Sequence, residues 1–267
     1  MNFSDKFYFT EICTVGVFKS ENILSPHAFS TRLGGVSTEK IYESLNLGYH
    51  RGDREENVRE NLSRFCKTLG SSEESLVTAS QTHSANVYTV SACDAGKIFP
   101  DTDGFVTLER KIPISVSIAD CAPILLEDKE RGIVASLHAG WRGTVAGIAA
   151  EGVRKMCELG ASVKDIQAAI GPCIHACCYE VGADFFEAVK GARGRDFAMR
   201  HIKPSEKDGK YFADISAMNG EILLDSGVPF ENISVSKKCT CCESELFFSH
   251  RASKGQRGAL KAAIMLD

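Results

Sequence analysis

Two apolar runs at residues 122–126 and 133–137, separated by the charged segment 127–132, constrain the fold more than any other feature of this sequence. Each run has the length of a β-strand, and a polar segment between two such runs predicts a hairpin. Residues 143–159 follow with apolar side chains at helical spacing, and Gly160 ends the pattern, which predicts a helix. Because the hairpin interrupts strict βαβ alternation, the pattern argues against a Rossmann fold.

The rest of the chain continues this mixture of short strands and helices. Further strands are predicted at residues 27–31, 76–80, 86–90, 112–118, 166–170, 233–236 and 260–266, and further helices at 53–69, 183–190 and 215–224. Asp214 is a suitable N-cap for the last helix. No repeat, low-complexity tract or Pro/Gly/Ser-rich linker divides the sequence. We therefore expect one domain, residues 1–267, of the α/β or α+β class, with a mixed β-sheet flanked by helices.

The charge balance makes nucleic acids and membranes poor candidates as partners. The chain has 31 Lys and Arg against 35 Asp and Glu, a formal net charge of −4, so nothing favours a polyanion. No uncharged apolar run approaches the roughly 18 residues of a membrane span, and the N-terminus lacks the pattern of a signal peptide. We expect a soluble, cytoplasmic protein. In a reducing compartment its 11 cysteines are thiols, metal ligands or nucleophiles before they are disulfides.

Several common catalytic motifs are absent from the sequence. It contains no Gly-x-Gly-x-x-Gly, Walker P-loop, His-Glu-x-x-His or Gly-x-Ser-x-Gly, which disfavours dinucleotide binding, P-loop ATP use, zincin chemistry and the serine elbow of α/β-hydrolases. The seven histidines include no His-x-His pair. The sequence is therefore a poor source of ligands for a multicopper oxidase.

Three reactive side chains follow or end predicted strands. Cys121 and His138 flank the hairpin, so its two strands should bring them together, and His83 ends a strand about 40 residues earlier. Taken singly, each is more simply a core or surface residue. Together, two imidazoles and one thiolate with an open fourth position match a catalytic zinc site, and this donor set also suits copper.

Charged residues near these three suggest how a substrate could be bound. Arg142 lies where the predicted helix begins, a place that favours anions, and Arg32 is a second candidate for an anion contact. Both could equally be surface arginines. Asp120 could orient a ligand imidazole or move protons. Asp101 and Asp103 lie in a Pro-Asp-Thr-Asp-Gly segment that is interpreted first as a turn, although two paired carboxylates could also serve in acid–base catalysis.

Two cysteine-rich segments, 173–178 and 239–242, form a rival metal cluster, since a structural zinc could take thiolates from both. Neither has the paired spacing of a zinc ribbon, so thiols packed in or near the core are the preferred interpretation. The basic loop 254–258 is interpreted as solvated.

An ordered set of short motifs resembles the bacterial YfiH-like family, also called the laccase-domain or polyphenol-oxidase family. The motifs span nearly the whole chain: residues 30–37 (STRLGGVS), 81–83 (QTH), 101–104 (DTDG), 119–123 (ADCAP), 138–143 (HAGWRG), 178–182 (CYEVG) and 247–251 (FFSHR). The last departs from the family pattern, because His250 replaces the usual Tyr. This replacement leaves the substrate preference open.

The resemblance implies a single α/β domain with a mixed sheet, similar to the catalytic domain of cytotoxic necrotizing factor toxins. It also implies a zinc site, sometimes a copper site, at the positions of His83, Cys121 and His138. Family members are described as purine nucleoside phosphorylases that cleave adenosine, inosine, guanosine and methylthioadenosine with phosphate. Some also deaminate adenosine.

These observations lead to a metal-dependent purine nucleoside phosphorylase with adenosine deaminase side activity as the first hypothesis. Under this hypothesis the protein binds Zn²⁺ or Cu²⁺ as its cofactor, and its substrates are purine nucleosides and phosphate. The oligomeric state is left open. The expected catalytic residues are Cys121, His138, Arg142 and Asp120, and the expected substrate contacts are Arg32, Gln81 and Arg142. One alternative is a cysteine amidase with Cys121 as nucleophile and His138 as base, with peptidoglycan-precursor editing as a related role. Another is a copper-dependent polyphenol oxidase.

Overall fold

The computed structural model describes residues 2–267, and Met1, the first residue of the expected domain, lies outside them. The strands are β1 (Phe7–Ile12), β2 (Val15–Ser20), β3 (His27–Ser30), β4 (Thr78–Ser80), β5 (Val87–Thr89), β6 (Ile98–Pro100), β7 (Gly104–Thr107), β8 (Ile114–Ile118), β9 (Ala122–Asp128), β10 (Ile133–Ala139), β11 (Gln167–Ile170), β12 (Glu180–Gly182), β13 (Ile202–Pro204), β14 (Lys210–Ala213), β15 (Ile233–Val235) and β16 (Leu260–Ile264). The α-helices are α1 (Glu55–Lys67), α2 (Trp141–Ala146), α3 (Ile148–Glu158), α4 (Ala183–Arg193), α5 (Arg195–His201) and α6 (Ile215–Asp225). Short 3₁₀ helices occur at Glu73–Ser75, Ala92–Asp94 and Phe230–Asn232.

The predicted hairpin is confirmed and lies at the centre of the larger sheet. Strands β9 and β10 pair antiparallel from Ile133 opposite Asp128 to Ala139 opposite Ala122. Every residue of both strands is buried. The side chains alternate between two cores, as a strand with both faces covered requires. This pairing places the start of β9 beside the end of β10.

A mixed six-stranded sheet and an antiparallel five-stranded sheet stack on each other between helices. This arrangement confirms the expected mixed α/β fold. The six-stranded sheet has the order β15-β11-β9-β10-β7-β5 and the five-stranded sheet the order β1-β2-β3-β16-β8. Apolar side chains fill the space between the two sheets. Helices α3 and α6 cover the outer face of the larger sheet, and α1 covers that of the smaller. Among residues 2–267, no helix combines the length and apolarity needed to cross a bilayer.

The sequence predicts one continuous helix at residues 143–159, but the structure has two helices there, α2 and α3. The location is correct, and the prediction of a single helix is wrong. The backbone turns left-handed at Gly147, with φ of 88°, between α2 and α3. This left-handed conformation favours glycine, because a residue with a Cβ would be strained there. The N-cap of α6 is confirmed, since the Asp214 carboxylate accepts from the Ala217 N–H at 2.9 Å.

His27, at the start of β3, is expected to make stability depend on pH. Its Nε2 accepts from the Ser20 N–H at 2.9 Å and its Nδ1 donates to the Ser25 carbonyl at 2.8 Å, so the ring is held neutral. Burial lowers the pKa of His27 from 6.5 to about 4. Between these values the unfolded chain binds a proton that the folded chain does not. Stability should therefore fall as pH drops from 6.5 towards 4, by about 3 kcal/mol in all.

Urea unfolding of the wild type and His27→Gln at pH 7 and pH 4.5 checks this prediction. Glutamine can keep the acceptor for Ser20 but does not titrate, so the variant should lose less stability on acidification. An equal loss in both proteins would refute the assignment to His27.

Candidate functional site

His83, Cys121 and His138 meet at one edge of the six-stranded sheet. Cys121 immediately precedes β9, and His138 lies opposite Pro123 near the end of β10. His83 lies in the loop before β5, which is joined to β10 through β7. One ligand atom from each of the three side chains lies within 4.8 Å of the other two. The structure thus brings together the three residues that the sequence singled out; we call them the metal trio.

The metal trio has the donor set and the accessibility of a catalytic metal site. The Cys121 sulfur lies 3.9 Å from His83 Nε2, and the rings of His83 and His138 are 4.9 Å apart between centroids. His138 is buried, Cys121 is half-buried and His83 is exposed. Three protein ligands with one accessible side fit a zinc ion that keeps an open coordination position.

Asp103, which precedes β7, holds two members of the metal trio in position through hydrogen bonds to His138 and to the backbone of the loop that contains His83. Its fully buried carboxylate lies 2.7 Å from His138 Nδ1 and accepts the backbone N–H groups of Thr82, His83 and Ser84 at 3.1, 3.1 and 2.8 Å. Burial alone would raise the pKa of Asp103, but the donors from His138 and Ser84 hold it well below its usual value. With the proton on Nδ1, the Nε2 atom of His138 is free to bind a metal.

Asp103 was interpreted from the sequence as a turn residue, and its role in the site was missed. The sequence signals were the two nearby carboxylates and the DTDG family motif that contains both, and neither signal shows which carboxylate contacts His138. The expectation that Asp120 orients an imidazole is also corrected. The Asp120 carboxylate instead accepts from Thr240 Oγ1 at 2.6 Å and from the Arg251 N–H at 2.7 Å. It thus joins the start of the hairpin to two later segments.

Cys121 and His138 shift each other's ionisation. Burial by itself would raise the pKa of Cys121, but the imidazoles of His138 and His83 lower it to about 6. Burial by itself would lower the pKa of His138, but the Cys121 thiolate and the Asp103 carboxylate raise it. The metal-free site therefore favours a thiolate beside an imidazolium at neutral pH.

Tight backbone geometry surrounds the metal trio. His83 and Asp120 both adopt left-handed φ values, 63° and 89°, which are uncommon for residues with a Cβ. Gly140 ends β10 without strain, but a Cβ there would lie 2.6 Å from His83 Cδ2 and 3.4 Å from the Cys121 sulfur. The space occupied by the metal trio therefore depends on glycine at this position.

A cavity of about 370 Å³ opens beside the metal trio. Gln81 lines it, and the cations Arg51, Arg257 and Lys261 line it together with the trio. No Asp or Glu of residues 2–267 lines this cavity. The volume suits a small molecule, and three cations without a lining carboxylate suit an anionic one.

Arg257 is half-buried and Lys261 is buried, and neither has a carboxylate partner among the described residues. The Nε of Arg257 is buried and has no hydrogen-bond partner among the described residues, and burial, aided by Arg51, lowers the pKa of Arg257 to about 10. Lys261 is buried in β16 and donates to Ser117 Oγ at 3.1 Å, and burial lowers its pKa to about 8. The loop at residues 254–258 is largely solvated, as expected, with Lys254 and Gln256 exposed, but the Nε of Arg257 is buried.

The remaining residues predicted from the sequence occupy different places. Gln81 lines the cavity, but its amide is used on the Ser117 backbone, with bonds of 2.8 and 2.6 Å. Arg142 is exposed in the six-residue helix α2, and its guanidinium lies 4.3 Å from the Trp141 ring. Arg142 is not among the cavity residues.

Arg32 lies outside the cavity and is occupied by contacts within the chain. Its guanidinium donates to the carbonyls of Glu43, Ser244 and Lys40 at 2.5, 2.9 and 3.1 Å. It also stacks on Phe248 at 4.6 Å. These contacts assign Arg32 to holding loops together.

Similarity to proteins of known sequence covers most of the chain. It is 36% identical over 245 residues to the purine nucleoside phosphorylase YlmD of Bacillus subtilis, covering 88% of this chain and 86% of that protein. It is 38% identical over 241 residues to the adenosine deaminase RL5 of an unknown prokaryotic organism, covering 87% and 90%.

Solved structures share the fold. The hypothetical protein YfiH of Bacillus licheniformis superposes with a TM-score of 0.90 at 30% identity, covering 97% of this chain and 99% of that one. YlmD of Geobacillus stearothermophilus superposes with a TM-score of 0.86 at 32% identity, covering 98% and 99%. The family model described as multi-copper polyphenol oxidoreductase laccase matches residues 26–267. The chain therefore belongs to this laccase-type family, and the resemblance to YfiH-like proteins is confirmed.

Proposed function

We propose that the protein is a metal-dependent purine nucleoside phosphorylase that also deaminates adenosine. The observation that carries the proposal is the cavity lined both by the metal trio and by Arg257 and Lys261, two cations that have no carboxylate partner among the described residues. A phosphorylase must bind an anion beside a neutral nucleoside, and this cavity offers positive charge without a competing carboxylate. The relatives named purine nucleoside phosphorylase and adenosine deaminase support the same assignment.

The metal would be held by His83, Cys121 and His138, with zinc as the first choice for this donor set. When bound, zinc supplies a Lewis acid that activates water for deamination. Asp103 keeps the Nδ1 proton on His138 and so directs its Nε2 towards the ion.

In phosphorolysis, a phosphate oxygen forms a bond to C1′ of the ribose while the bond from C1′ to the purine nitrogen breaks. The departing purine nitrogen gains a proton, and the hydrogen phosphate loses one as it becomes the phosphate ester, so the step is balanced. In the proposal Arg257 and Lys261 bind the phosphate and keep it oriented towards C1′, a task earlier expected of Arg32 and Arg142. Their pre-placed charge in a partly closed cavity lowers the barrier by positioning and by charge stabilisation.

Arg257→Met is expected to raise the KM for phosphate about tenfold or more and to leave deamination nearly unchanged. A hydrogen bond to a charged group contributes roughly 1.5–3 kcal/mol, and deamination needs no phosphate. Steady-state assays of adenine and inosine formation at varied phosphate measure both effects. Arg154→Met, which changes an exposed helical arginine that pairs with Glu151, is the matched control. An unchanged phosphate KM in Arg257→Met would exclude Arg257 from the phosphate site.

The Asp103–His138–Cys121 arrangement favours a cysteine hydrolase as the second candidate function. A carboxylate lies 2.7 Å from an imidazole that in turn adjoins a thiol, as in enzymes with a cysteine nucleophile. Amides, including those of cell-wall precursors, are the substrates that this candidate would hydrolyse.

Alkylation separates the two candidates. We expect iodoacetamide to modify Cys121 rapidly in chelator-treated protein at pH 7, because the neighbouring imidazoles favour its thiolate. Added zinc should protect Cys121 if it is a metal ligand. Peptide mass spectrometry follows each thiol. Cys157 serves as the internal control, because it is accessible but partial desolvation of its thiol raises its pKa, so it should react more slowly. Rapid alkylation of Cys121 in the presence of zinc would favour the hydrolase.

A further inference from the structure

Four cysteines outside the candidate active site converge at the surface. Cys177 and Cys178 end the loop that follows β11, and Cys239 and Cys242 lie in the segment after β15. Their four sulfurs all lie within 4.8 Å of one another, with Cys242 3.5 Å from Cys177 and 3.3 Å from Cys178. Cys177 and Cys242 are exposed, which differs from the expectation of thiols packed in or near the core.

We propose that these four cysteines, the thiol cluster, bind a structural zinc ion. A zinc–sulfur bond of about 2.3 Å in a tetrahedron places sulfurs about 3.8 Å apart. In the thiol cluster the two shortest contacts given, 3.3 and 3.5 Å, are slightly below this value, and all sulfurs lie within 4.8 Å of one another. A disulfide needs about 2.0 Å, so no pair is bonded. Four sulfur donors leave no open position, which distinguishes this site from the metal trio and indicates a structural role.

The backbone already holds the thiol cluster in place. Cys239 and Cys242 do have the Cys-x-x-Cys spacing that lets one turn supply two metal ligands, which corrects the interpretation of segment 239–242 from the sequence; Cys177 and Cys178 are adjacent. The Thr240 N–H donates to the Cys173 carbonyl at 3.0 Å, and Cys173 forms a β-bridge with Cys239. The two loops therefore meet without a metal, which lowers the entropy cost of assembling a four-ligand site.

The surroundings also suit a negatively charged metal–thiolate centre. Four thiolates and one zinc ion carry a net charge of −2. The Arg251 guanidinium donates to the Cys178 carbonyl at 2.9 Å and brings a positive charge to this side.

Zinc at the thiol cluster would stabilise the position of Asp120, the residue that precedes Cys121 of the metal trio. The Ile174 N–H donates to the Asp120 carbonyl at 2.9 Å, and Thr240 Oγ1 donates to the Asp120 carboxylate. The two cysteine loops therefore both hold the residue next to Cys121. An ion that joins the loops would restrain Asp120, and so Cys121, without touching substrate.

Metal analysis of Cys242→Ser against Cys157→Ser tests the proposal. Both variants remove one exposed thiol, but Cys157 lies on α3 and outside the thiol cluster. In protein loaded with zinc and freed of excess, we expect Cys242→Ser to contain one zinc ion per chain fewer than Cys157→Ser. The metal trio is intact in both variants, so its occupancy cancels in the difference. Equal zinc contents would overturn the proposal.

Cobalt substitution keeps the test decisive if Cys242→Ser fails to fold. Wild-type protein loaded with Co²⁺ should show the strong thiolate-to-cobalt absorption of a four-sulfur site, and most of it should survive in Cys121→Ser. Cys177→Ser, at an exposed position, should lose much of it. An absorption that disappears with Cys121→Ser and persists in Cys177→Ser would refute the proposal. So would a mass two daltons below the thiol form in the absence of bound metal, because it indicates a disulfide.

Discussion

Asp103→Asn is expected to lose zinc from the metal trio and to destabilise the fold at the same time. The buried carboxylate faces the His138 Nδ1 atom and several backbone N–H groups of the loop that contains His83. An amide cannot accept all of these bonds and places a donor against a donor. Removing one partner of a buried charged pair typically costs roughly 3–5 kcal/mol, and losing an orienting partner lowers metal affinity about 10- to 100-fold.

Chelator competition and urea unfolding measure the two effects, and Asp101→Asn is the matched control. Asp101 lies in the same turn with a left-handed φ that Asn tolerates, and its carboxylate bonds only one side chain, Thr82. Asp101→Asn should therefore change both quantities little. Equal effects of the two substitutions would mean that the turn matters as a whole and that Asp103 has no particular role in the metal trio.

Gly140→Ala is expected to lower kcat/KM for nucleoside cleavage about 100-fold, the order of loss that a displacement of about 1 Å in an active site causes. The added methyl would lie 2.6 Å from the His83 ring and so must displace it. Because the backbone of Gly140 has φ of −69°, alanine causes no backbone strain, and the loss should come from the metal trio alone. Zinc affinity should fall with activity while the unfolding midpoint changes little.

Gly191→Ala is the matched control, because a Cβ there meets no atom within 4 Å. This glycine lies inside α4, where alanine should raise stability by about 0.5–1 kcal/mol and leave activity intact. Full activity and zinc affinity in Gly140→Ala would show that His83 moves freely and is not held as a metal ligand.

The parts of the site that depend on local pairing could be predicted from the sequence. A hairpin fixes which residues lie side by side, so Cys121 and His138 follow from the apolar runs that flank residues 127–132. His83 was found by its residue type and its place at a strand end. The helix at residues 143–159 was predicted in the right place but as one element, since periodicity does not report the left-handed turn at Gly147.

The parts that depend on long-range packing could not be predicted in this way. Asp103 and Asp101 share one turn motif, and only the pairing of β7 with β10 decides which carboxylate faces His138. Lys261 joins the cavity because β16 pairs with β8, over 140 residues earlier in the chain. The thiol cluster likewise joins loops more than 60 residues apart.

Product analysis after incubation with adenosine tests the central claim most directly. Zinc-loaded wild type and His83→Ala, each with and without phosphate, would be compared by chromatography. His83 is exposed, so its removal should spare the fold. The account predicts adenine only from the wild type with phosphate, and inosine from the wild type in both conditions. Adenine from His83→Ala at the wild-type rate, or none from the wild type with phosphate, would contradict it.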